Sequence, residues 1–151
     1  MVTRVLGMGV LLLVLSGCFL VPGYGASTSP PPVLVDSGAR SLEVDPYTTC
    51  WTAGSSGYCA DGVPPDPLPD LGRVTGPVSV TFAVDGWDLM ASAHLVGSGH
   101  RTSIDLALDE VSEQTWSMRT DVPGGTYEVS LSGRGPQGDI AAAFQLTVVG
   151  A

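Results

Sequence analysis

Few side chains in this 151-residue chain are spaced for chemistry. Its two histidines, His94 and His100, flank Gly97-Ser98-Gly99, and with Met90 they are the side chains from which a copper or zinc site would be built. A two-residue turn between them sets Ala93 and Leu95 across from the Ile104 face, and strand parity then decides where each imidazole points. His94 falls with Asp88 on the polar side and His100 with Ile104 on the core side. Both read as solvated turn histidines, and no shared metal is expected. Asp61, Asp66 and Asp70 offer hard oxygen ligands in a proline-rich run, but their spacing is not that of a calcium loop, so they read as a solvated loop. The glycine-flanked serines of Gly54-Ser55-Ser56-Gly57 and Gly97-Ser98-Gly99 lack the Gly-x-Ser-x-Gly elbow, and no phosphate-cradling glycine loop is present. No catalytic residue, metal or cofactor is expected from these patterns.

The one stretch with a specific chemical meaning is Leu15-Ser16-Gly17-Cys18. It closes an apolar run, Val5 to Leu15, that follows the single positive charge of Arg4. A run of that length suits an export signal and is too short to cross a hydrocarbon core of about 30 Å. The four residues, a branched aliphatic, two small residues and a cysteine, resemble the lipobox of bacterial lipoproteins. That resemblance implies cleavage before Cys18, a diacylglycerol thioether on its sulfur and an acylated amine. Two or three acyl chains suffice for stable anchoring, since each buried methylene contributes about 0.8 kcal/mol. The competing reading is an ordinary secretory signal cut near Tyr24-Gly25-Ala26.

With Cys18 lipidated, Cys50 and Cys59 remain, and an even pair in an exported chain reads as a disulfide. The eight residues between them include two glycines and two serines, read here as the bend that brings the cysteines together. Tyr47, Trp51 and Tyr58 surround the pair. Aromatic side chains on a stapled loop present apolar area at low ordering cost, which makes them a candidate binding surface for sugar or peptide. The simpler reading has Trp51 packing over the disulfide and capping the domain.

Removing the signal leaves five arginines against fifteen carboxylates, a net charge of −10. That sign argues against nucleic acid and anionic headgroups as partners; besides the membrane reached through Cys18, an envelope protein or a cell-wall glycan is the expected partner. The chain has no lysine and no asparagine and abounds in Gly, Ala, Val and Pro, a usage associated with GC-rich genomes.

The elements that must position these groups are strands. Residues 18–37 read as a lipidated N-terminus and a Pro/Gly/Ser tether, and 38–151 as one domain. Within the domain apolar residues alternate with polar ones along Leu42–Val44, Val78–Val84, Trp87–Leu95, Ile104–Leu108, Trp116–Met118, Tyr127–Leu131 and Ile140–Val148. About seven half-buried strands in roughly 110 residues predict an all-β fold, an antiparallel β-sandwich. The segment Asp121-Val122-Pro123-Gly124-Gly125-Thr126-Tyr127-Glu128-Val129 resembles the tyrosine corner of immunoglobulin-like and fibronectin-like domains, and the resemblance implies that the Tyr127 hydroxyl bonds back to upstream backbone. Val129 stands where an antibody domain carries its second core cysteine, which excludes that subtype. The segment from Cys50-Trp51 to Cys59-Ala60-Asp61-Gly62 is similar to one in actinobacterial lipoproteins, a likeness that brings no activity with it. The expectation is a lipid-anchored protein on the extracytoplasmic face of the cell membrane, acting as a binding or structural module and not as an enzyme. The alternative is a small envelope enzyme or metal-handling lipoprotein.

Overall fold

The computed structural model describes residues 28–98 and 103–150. Leu15-Ser16-Gly17-Cys18, expected to be a lipobox, and His100 lie outside the described residues. Twelve strands occur among those described: β1 (Val33–Asp36), β2 (Ser41–Val44), β3 (Thr48–Ala53), β4 (Ser56–Ala60), β5 (Asp70–Val74), β6 (Val78–Thr81), β7 (Asp88–Leu95), β8 (Ile104–Leu106), β9 (Leu108–Ser112), β10 (Thr115–Met118), β11 (Gly125–Gly135) and β12 (Gly138–Val148). They form a two-sheet sandwich. One sheet runs β2-β1-β6-β10-β9; the other runs β4-β3-β12-β11-β7-β8, with β5 also on β12. The cores of these sheets, β1-β6-β10-β9 and β12-β11-β7, reproduce the A-B-E-D and G-F-C orders of an immunoglobulin-like sandwich.

The interior forms where alternation from both sheets meets. Val33, Val35, Val78, Val80 and Met118 face Val129, Leu131, Ala142, Phe144 and Leu146, all at most 1 % exposed. β-branched and aromatic side chains suit such a pleated, half-buried surface. The tyrosine corner is formed: the Tyr127 hydroxyl donates to the Pro123 carbonyl at 2.8 Å, and the ring is 1 % exposed.

Several expectations need correction. The folded body starts five residues before the boundary at 38, because Val33 and Val35 fill the core as the alternate residues of β1 between β2 and β6. The Cys50–Cys59 loop is two strands of a hairpin, not a long bend. The Ile104–Leu108 run is two strands: Leu106 pairs with Ala91 in one sheet and Leu108 with Met118 in the other, so the chain changes sheets at Ala107. Finally, β5 was hidden because its buried residues, Leu71 and Val74, are three apart. A bulge with Gly72 at φ 84° absorbs the extra residue, and β5 runs parallel to β12, the exception to an otherwise antiparallel fold.

Candidate binding groove at the disulfide hairpin

The hairpin β3–β4 is inserted between the first strands of the sandwich and β5. Its register pairs Ala53 with Ser56, so the turn is Gly54-Ser55, and Gly54 takes φ 62° at the first central position, where a two-residue hairpin favours glycine. The same register sets Cys50 opposite Cys59 and Trp51 opposite Tyr58. The cysteines form a disulfide, with Cα atoms 4.0 Å apart.

Successive residues of a strand point to opposite faces, so the disulfide and the Trp51–Tyr58 pair lie on opposite sides of the hairpin. Trp51 therefore does not pack over the disulfide. It is turned into the sandwich, where its ring stacks on Trp87 (centroids 5.7 Å apart, 26° between planes) and meets Phe82 edge-on at 6.5 Å. Phe82 and Trp87 complete the triad at 4.8 Å. Polar contacts hold this end together as well. The Trp87 Nε1–H donates to Gln137 Oε1 at 2.7 Å, and the Thr52 N–H donates to the Gln137 carbonyl at 2.7 Å. Opposite Trp51, Gly138 lies so close to the Cys50 carbonyl that no Cβ fits there.

Of the three aromatics expected to form a binding surface, the structure brings two together. Tyr58 is 42 % exposed, whereas Trp51 is 4 % exposed. Tyr58 forms the wall and Trp51 the floor of an open groove of about 470 Å³, completed by Thr28, Ala53, Gly54, Ser56 and Gly57, with no charged side chain in its lining. Tyr47 is not part of it: it sits in a bend before β3, its N–H donating to the Ala141 carbonyl, at the end of the hairpin away from the turn. Ala53 and Thr28 had no signal in the sequence. The hairpin did have one, since Cys50 and Cys59 are equidistant from Gly54-Ser55, the spacing that a directly opposed pair requires.

A second cleft, of about 510 Å³, opens at the other end of β12 between Gly76, Arg119, Asp121 and Val149. Its one ion pair, Arg119 Nε to Asp109 Oδ2 at 3.3 Å, joins two side chains that are 54 % and 63 % exposed, a solvated pair worth little.

The histidine reading is corrected for His94, which is not in a turn. It lies within β7, half-buried opposite Glu128 of β11, and its Nδ1 is buried without a hydrogen-bond partner. Met90, 68 % exposed, is four residues away on the same face. Among the described residues, no group of three or more His, Cys, Asp or Glu side chains is placed to hold a metal ion. Asp70 uses its Oδ1 locally, accepting the Gly72 N–H at 2.8 Å, while Asp61 and Asp66 are exposed. Compared with protein-family models, curated proteins and solved structures, the chain matches none.

Proposed function

We propose that this is a lipid-anchored protein of the cell envelope, attached through Cys18 to the extracytoplasmic face of the membrane, whose β-sandwich acts by binding and not by catalysis. Leu15-Ser16-Gly17-Cys18 supports the anchor. Between Cys18 and Thr28, which lines the groove, lie nine residues, Phe19 to Ser27, a tether that reaches at most about 30 Å when extended. The domain thus stands within reach of other envelope proteins and of cell-wall glycan. The observation that carries the binding role is Tyr58: a large aromatic side chain left 42 % exposed beside an uncharged groove, on a disulfide-closed hairpin anchored to the core through Trp51. Rigid aromatic area of this kind is what partner surfaces use as anchors.

The test is site-specific photo-crosslinking of the full-length protein in living cells, with p-benzoylphenylalanine in place of Tyr58 or, as a control, of Val111, which is 68 % exposed on β9. A discrete crosslinked product from position 58 and none from position 111 is the expected result. Equal or absent crosslinking at both positions would remove the groove as the binding surface.

A further inference from the structure

The hairpin carries a second feature, independent of its aromatics: an unprotected sheet edge. β4 pairs with β3 on one side, and no described strand lies on the other. The phase of its ladder follows from two observations. Cys50 and Cys59 are 4.0 Å apart at Cα, the close spacing of a pair that exchanges no ladder hydrogen bonds, and the Thr52 N–H points away from β4 to the Gln137 carbonyl. The backbone groups of Gly57 and Cys59 therefore face outward, two donors and two acceptors in the spacing of an antiparallel or parallel partner strand.

Protein sheets ordinarily guard such edges with charged side chains, proline or very short strands. The other outermost strands here are guarded: β2 carries Glu43, β9 carries Asp109 and Glu110, and β8 is three residues long and carries Asp105. β4, Ser56-Gly57-Tyr58-Cys59-Ala60, has neither a charge nor a proline. Its free edge borders the groove, because Tyr58 belongs to both.

We propose, resting on the binding role assigned above, that the partner is an extended, basic peptide segment that adds a strand to β4 and places an apolar side chain beside Tyr58. An extended backbone matches the outward groups of Gly57 and Cys59, and alternate side chains supply the specificity of such pairing. The basic character follows from charge. The hairpin itself is uncharged, but Asp45 stands just before β3 and Asp61 directly follows β4, with no basic residue between Arg40 and Arg73, so the nearest charges along the chain are carboxylates. The acidic excess of the whole chain, formal charge −9, disfavours a second copy of it as the partner.

The experiment uses the full-length protein in detergent micelles and an array of hexapeptides that alternate Lys, or Glu, with one of Ala, Val, Leu or Phe. Lysine peptides are expected to bind and to slow hydrogen exchange at the Gly57 and Cys59 amides. N-methylation of the alternate peptide amides on the pairing side, or exchange of Lys for Glu, is expected to weaken binding on the order of tenfold. Binding that is unchanged by N-methylation overturns strand addition. An array with no binder, alongside persistent crosslinking from position 58, overturns the peptide while leaving the groove in place. Saturable binding of a cell-wall disaccharide at Tyr58 without protection of the two amides overturns it in favour of glycan. Dimers that form through β4 overturn it in favour of a second copy.

Discussion

The indole rings of Trp51 and Trp87 stack 5.7 Å apart, which ties the inserted hairpin to the residue that leads into β7. The Trp87 Nε1–H, held by Gln137, fixes that ring from the other side. Truncating Trp87 removes the stacking partner of Trp51 and opens a cavity beside Phe82. Trp87→Ala is expected to cost about 3 to 5 kcal/mol in denaturant unfolding. Val111→Ala, on the exposed face of β9, is expected to stay within about 0.5 kcal/mol. A loss below about 1 kcal/mol for Trp87→Ala would mean that the aromatic triad does not carry this end of the fold.

Close backbone approach makes the second prediction. A Cβ at Gly138 would run into the Cys50 carbonyl, and the residue's φ of 137° is itself unfavourable for any side chain. Gly138→Ala is expected to lower the thermal midpoint clearly and to loosen the pairing of β3 with β12. Gly76→Ala, with nothing within 4 Å of its added methyl, should leave the midpoint unchanged. Equal midpoints for the two variants would contradict the packing described.

Alternation located the strands that bury one clean face, such as β6, β7, β11 and β12, because a half-buried strand must repeat with period two. It missed β1, whose apolar Val33-Leu34-Val35 adjoins a proline triplet, and β5, where a glycine bulge breaks the period. The groove was partly legible. The cysteines and aromatics pointed to the hairpin, but the face on which each side chain lies follows from register, and register was fixed only by the pairing of β3 with β4 and β12. Once Trp51 is known to face inward, parity alone assigns Tyr58 to its side and the disulfide to the other.

The tyrosine corner gives a third prediction. Tyr127→Phe keeps the buried ring and deletes the hydrogen bond to Pro123, at an expected cost of about 1 kcal/mol. In a domain of this size that is a fall in thermal midpoint of roughly 4 to 8 °C. An unchanged midpoint would show that the back-bonding contributes nothing to stability.

Reducing the disulfide tests the hairpin itself. In the chain-entropy model, a bridge closing so short a loop contributes about 2 to 3 kcal/mol. Because Trp51 remains stacked in the core, hydrogen exchange should accelerate mainly in β4 and leave β6, β11 and β12 protected. Uniform acceleration across both sheets would contradict this local role.

The most direct test of the account is the intact mass of the protein extracted from the membranes of the cells that make it, measured before and after reduction. A chain beginning at Cys18, heavier by two or three acyl chains and gaining the mass of two hydrogen atoms when a thiol reductant opens the disulfide, is the predicted result. A water-soluble, unacylated product cut near Ala26 would contradict the lipid anchor, and a mass unchanged by reduction would contradict the Cys50–Cys59 bridge on which the groove is built.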